Sequence, residues 1–161
     1  NGKLNGWDVS NVTEANDLFF VAEKFNQDLD QWDTSNLRNA SRMFYGTTEF
    51  NGNITTWNTE SLYNMNSMFH FAGVFNRDIS NWDVSNVDNM KEAFYAAADF
   101  NQDISGWDVS NVRVMTKMFY YAHSFYQDLS GWDVSNVTQY RNFGTDASED
   151  SDWPPSMWPN F

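Results

Sequence analysis

At 161 residues the chain has room for one ordinary domain, and an aromatic content of 18% supplies ample core material. With no Cys it has neither disulfide staples nor thiolate metal sites, so packing alone must hold it. A formal charge of −13 argues against a phosphate backbone as partner, because nucleic-acid affinity rests on Lys and Arg displacing counterions; cationic partners or metal ions suit the chain better.

The chain opens partway through a repeat, since Asn1-Gly2-Lys3-Leu4 has the phase of Asn26-Gln27-Asp28-Leu29. Repeats are therefore expected before it. Neither a signal peptide nor an initiator Met is present, and the chain reads as a segment of a longer precursor. No apolar run approaches the 18 or so residues of a membrane span.

The hexapeptide WDVSNV follows at residues 7–12, returns at 82, 107 and 132, and survives as WDTSNL at 32 and WNTESL at 57. Trp7, Trp32, Trp57, Trp82, Trp107 and Trp132 stand 25 residues apart without a slip, as in stacked repeat proteins. Phe19, Phe44, Phe69, Phe94 and Phe119 keep the same beat, as do Phe25, Phe50, Phe75, Phe100 and Phe125 and the column Leu4, Leu29, Ile54, Ile79, Ile104, Leu129. Each repeat is then one coil, too small to fold alone, that buries its apolar side against its neighbours.

Within a coil, Ile79, Trp82, Val84 and Val87 follow the pattern L-x-x-L-x-L. A short strand is predicted at Trp-Asp-Val, with Trp82 and Val84 inward and Asp83 and Ser85 outward. The steps of 3, 3, 1 and 3 through Val87, Met90, Ala93, Phe94 and Ala97 predict a helix of two or three turns, capped by the Ser-Asn of the hexapeptide. Asn11 and Glu14 form a possible capping box in the first coil. The fold class expected is an α/β solenoid over residues 1–144, with parallel strands on one face and helices on the other. Residues 145–161, an acidic SEDSD run followed by WPPSMWPNF, are expected to form a tail in which Trp153, Met157, Trp158 and Phe161 cover the last coil.

The unit WDVSNVxxMxxMFxxAxxFNQDISG, cleanest at residues 82–106, resembles the BspA-like leucine-rich repeats of surface proteins in their 25-residue variant. The resemblance implies a right-handed solenoid displayed outside the cell, acting by adhesion or protein contact and without enzymatic activity. It implies no particular ligand. The third coil departs most, with Asn58 for Asp and Glu60-Ser61 for Ser-Asn.

Several surfaces are candidates for function. Asp8, Asp33, Asn58, Asp83, Asp108 and Asp133 form an outward column whose carboxylates, stacked about 4.8 Å apart, repel one another by about 1 kcal/mol in water. Either each accepts hydrogen bonds from its own turn, as Asn58 also could, or pairs such as Asp83, Asp108 and Asp133 bind calcium. A second acidic column, Asp28, Asp78, Asp103 and Asp128 with Asn53 in the third coil, points to turn capping. Phe20, Tyr45, His70, Tyr95 and Tyr120 fall off the apolar stripe of the expected helix. They form an exposed contact row for a glycan or a protein, or the helix ends earlier and the rings pack between coils. Arg38, Arg42, Lys91, Arg113, Lys117 and Arg141 all lie in the helical halves, an arrangement suited to lateral association. Sequons at Asn11, Asn39, Asn53 and Asn136 would carry N-glycans in a glycosylating host, with Asn53 in a turn the best placed.

No arrangement suits catalysis: His70 and His123 lie at different phases, and no nucleophile motif, phosphate loop or H-E-x-x-H is present. An evenly repeated carboxylate row offers like environments, whereas an acid and base pair needs unlike ones. Two functions remain. One is an extracellular or cell-surface binding module that contacts a protein or glycan, and the other is a structural subunit that assembles with copies of itself or other chains.

Overall fold

The computed structural model describes residues 2–144 and 155–161. The α/β solenoid expected from the sequence does not form. Among the described residues the regular elements are one 3-10 turn, Pro155–Met157, and a row of single parallel bridges, Glu14 to Asn39 to Asn64 to Asn89 to Val114 to Gln139. The predicted strands at Trp-Asp-Val and the predicted helices are both absent there. In their place the chain stacks 25-residue units made of tight turns.

The hydrogen bonds show why no helix forms. In the unit after Asn64, the N–H groups of Met65, Ser67, Phe69 and Phe71 donate to the carbonyls of Asn89, Lys91, Ala93 and Tyr95 in the next unit, at 2.8–3.0 Å. Those of Met68, His70 and Ala72 donate instead to the carbonyls three residues back. Alternate donors thus serve the neighbour and the local turn, and none is left for the i−4 carbonyl of an α-helix. The backbone adopts this by placing two residues per unit at positive φ, for example Glu92 at 55° and Ala96 at 52°, and Lys117 at 55° with Tyr121 at 60°. Such non-glycine residues each cost about 1–2 kcal/mol, so packing must over-determine them.

The packing is correspondingly dense. Phe44, Phe69 and Phe94 stack at 5.5 Å per step, and each lies about 4 Å from the second phenylalanine of its own unit, Phe69 from Phe75 at 4.1 Å for example. Trp32, Trp57 and Trp82 stack at 6.2 and 5.9 Å with their planes within 4° of parallel. Each indole N–H of Trp32, Trp57, Trp82, Trp107 and Trp132 donates to a carbonyl 28 residues earlier, that of Trp82 to Ile54 and that of Trp107 to Ile79. The tryptophans therefore serve as both core and cross-link.

In and out alternate where the strand was expected, since Trp82, Val84 and Val87 are buried and Asp83 is exposed. Beyond the last full unit, Met157 O accepts a hydrogen bond from Leu129 N at 2.7 Å, as Asn53 O does from Leu29 N at 2.9 Å. Phe161 stacks on Tyr140 at 4.4 Å, and Trp158 meets Phe143 at 6.1 Å. Trp153 and the SEDSD run lie outside the described residues.

Candidate functional site

The acidic columns are turn caps by geometry. Oδ1 of Asp8, Asp33, Asp83 and Asp108 accepts both the N–H and the hydroxyl of the serine two residues on, at 2.9–3.1 and 2.6–2.7 Å. Asp133 accepts the Ser135 N–H at 3.0 Å, and Asn58 accepts the Glu60 N–H at 3.0 Å in the same way without a charge. The serine hydroxyl, followed by its N–H, holds the carboxyls of Asp8, Asp33, Asp108 and Asp133 below the ordinary range. Repulsion between stacked neighbours is the smallest influence on Asp33 and Asp133. Asp78, Asp103 and Asp128 cap Ser80, Ser105 and Ser130 identically, and Asn53 caps Thr55, whereas Asp28 accepts the Asn53 N–H of the next unit at 2.8 Å. Among the described residues no three His, Asp or Glu side chains converge as metal ligands, at Asp83, Asp108 and Asp133 included.

The aromatic row is a continuous stack. Phe20, Tyr45, His70, Tyr95 and Tyr120 follow one another at 4.9, 4.5, 4.2 and 5.3 Å with planes within 27°. Its exposure is graded: Phe20 is open, Tyr45, Tyr95 and Tyr120 are half-buried, and His70 is 7% exposed. Cations stand close to the rings near its two ends, Arg42 5.5 Å from the centre of Phe20 and Lys117 5.2 and 5.8 Å from the centres of Tyr120 and Tyr95. Arg42 also pairs with Asp17 at 2.7 Å. Burial pushes the His70 imidazole down to about 4, against an opposing pull from the Glu92 carboxylate, so at neutral pH it is an uncharged aromatic. Its Nδ1 stands 3.4 Å from Glu92 Oε2 without hydrogen-bond geometry. Burial likewise raises the Tyr95 phenol.

The neighbouring phase, absent from the sequence-level candidates, completes this face. Phe71 and Tyr121 are exposed and lie edge to face with the row, Phe71 against His70 at 4.6 Å and 67°, Tyr121 against Tyr120 at 4.4 Å and 77°. Both belong to the positive-φ column Val21, Gly46, Phe71, Ala96, Tyr121. The repeated large residues there were visible in the sequence, but a helix reading gave them no common side. Also unforeseen was an asparagine ladder, in which Oδ1 of Asn26, Asn51, Asn76 and Asn101 accepts the N–H 25 residues on, at 2.9–3.1 Å. Asparagine at a fixed phase was its sequence signal.

The sequons are scattered over the surface. Asn11 and Asn136 are exposed, the latter donating Nδ2 to Ser110 O at 2.8 Å. Asn39 and Asn53 are half-buried, with Oδ1 accepting the N–H of Ser41 and Thr55. A groove of about 250 Å³ beside the first unit is lined by Trp7, Val12, Leu18 and Leu37 among others. No helix among the described residues is long and apolar enough to cross a membrane.

No curated protein and no solved structure matches the chain. One family profile does, twice, over residues 1–76 and 49–158, each match running through several consecutive repeats. The chain belongs to that repeat family, whose description is "Mycoplasma protein of unknown function, DUF285".

Proposed function

We propose that the protein is a non-enzymatic contact module of the BspA-like surface repeat type, displayed outside the cell, whose aromatic face meets a protein or glycan partner. The observation that carries this reading is the exposure of Phe20, Phe71 and Tyr121 on a row of rings already fixed by stacking. Aromatic side chains held in place before binding lose little freedom on contact, and such residues dominate recognition energetics. The carboxylates of the acidic column, by contrast, are committed to the serines of their own turns, as at Asp8, Asp83 and Asp108.

A second reading, a building block that associates through the same face, is favoured by exposed Val21, at the phase of Phe71 and Tyr121, which adds apolar surface there. The test is binding of the purified chain to immobilised extracellular-matrix proteins and to a glycan array, beside a Phe71→Ser/Tyr121→Ser variant. Loss of binding in a variant that still unfolds cooperatively supports the contact module. Equal binding by both, or none by either, overturns it. Self-association of the wild type that the double variant abolishes identifies the building block.

A further inference from the structure

Resting on the aromatic face as contact surface, we propose that Phe71 and Tyr121 form a two-ring platform for a neutral β-1,4-linked polysaccharide lying along the stack. Ring orientation is the first support. Both faces of His70 are taken, by Tyr45 at 4.5 Å and Tyr95 at 4.2 Å. Phe71, 4.6 Å from His70 and steeply inclined to it, can therefore meet only ring edges, and two edges cannot approach that closely. Its own face must cover them, across Tyr45 and Tyr95 as well, at 87° and 78°. The opposite face of Phe71, which is 45% exposed, looks outward.

The same holds for Tyr121. It lies 4.4 Å from Tyr120 at 77° and 5.9 Å from Tyr95 at 78°, the same placement as Phe71 against His70 at 4.6 Å and 67° and Tyr45 at 6.2 Å and 87°. Two aromatic faces are thus laid flat on the rod, tilted alike against Tyr95. Outward ring faces carry partial negative charge and suit the axial C–H groups of a pyranose.

Spacing is the second support. Phe71 and Tyr121 occupy the same phase two units apart, about 10 Å at the spacing of parallel bridged chains. That is the length of two sugars in an extended β-1,4-linked chain, in which alternate sugars present the same face. Between the two rings stands Ala96, a small side chain that leaves room for the inverted middle sugar. An α-1,4-linked chain coils and cannot keep this register.

Charge selects among such chains. The molecule carries −13, which repels uronates and sulfated glycans, and the basic groups at this face are largely engaged, Arg42 with Asp17 and Lys91 with Glu92. Lys117, 5.2 Å from the centre of Tyr120 and 5.8 Å from that of Tyr95, supplies a donor for sugar hydroxyls at this end of the row.

Isothermal titration of the full chain with cellohexaose, N-acetylchitohexaose and maltohexaose tests the proposal. Binding of at least one β-linked hexamer and not of maltohexaose is expected, and which one binds identifies the sugar. Phe71→Ala and Tyr121→Ala should each weaken it about tenfold in chains that still unfold cooperatively. Ala96→Tyr adds an aromatic ring at the same phase yet fills the middle subsite, so it should also weaken the glycan, whereas a protein partner would gain contact. No heat with either β-linked hexamer, equal heat with maltohexaose, or unchanged affinity in the alanine variants overturns the proposal. Matrix-protein binding that depends on Phe71 and Tyr121 would then leave the contact module standing without the glycan.

Discussion

Acidification should weaken the fold through one residue, His70, before the carboxylates contribute. Its imidazole is held at about 4 in the folded protein against an ordinary 6.5. Between those values the unfolded chain takes a proton that the folded chain refuses, so stability is full above pH 6.5 and falls as the pH drops towards 4. The whole difference is on the order of 3 kcal/mol, and about 2–3 kcal/mol of it is spent by pH 4.5. Replacing His70 with Phe keeps an aromatic ring between Tyr45 and Tyr95 and removes the titration. Urea unfolding at pH 7.5 and pH 4.5 should show the wild type losing about 2–3 kcal/mol more than His70→Phe between the two conditions. An NMR titration should place the His70 midpoint well below 6.5, near 4. Parallel pH dependence in the two proteins, or a His70 midpoint near 6.5, would refute the argument.

Below the His70 window the capped carboxyls take over. Asp8, Asp33, Asp78, Asp103, Asp108, Asp128 and Asp133 titrate below their ordinary value, so their contribution is present above about pH 4 and disappears as the pH falls further. A melting temperature that is flat from pH 4 to pH 2 would contradict this. Gly52→Ala places a Cβ 2.0 Å from Gln27 O, a backbone atom that cannot step aside, and should cost about 3 kcal/mol or more in urea unfolding. Trp82→Ala removes a buried indole and its bond to Ile54 O, with an expected loss of about 3–5 kcal/mol in the same assay. Asp83→Asn/Asp108→Asn/Asp133→Asn keeps the cap through an amide oxygen, as Asn58 does, so it should fold with a modestly lower melting temperature at neutral pH, and calcium should shift neither protein. A calcium-dependent rise confined to the wild type would restore the ion reading.

The columns of Trp and Phe were legible because burial at a fixed phase leaves the same mark whatever the backbone does between. The helix was misread for a definable reason. Val87, Met90, Ala93, Phe94 and Ala97 are all buried, yet the turns that bury them close three residues apart, and steps of three look the same in a chain of turns as on a helical face. What separates the two is positive φ at Glu92 and Ala96, and neither residue type announces it. Asn58, by contrast, correctly pointed to capping in the acidic column, since an amide can replace a carboxylate only where the charge is dispensable. The phase of His70 is legible in the sequence, but its burial between Tyr45 and Tyr95, with Phe71 against its edge, is not legible without the turns.

The bonds between units run along the length of the rod, from Met65 to Asn89, Ser67 to Lys91 and onward. A tether pulling on the two ends would load them in tension and peel them one after another, since no bond in one unit shields those in the next. Each rupture would release 25 residues, about 80–90 Å of slack. A protein built this way yields under tension in regular steps, as a shock absorber does, and stretching single molecules should record a sawtooth at that interval.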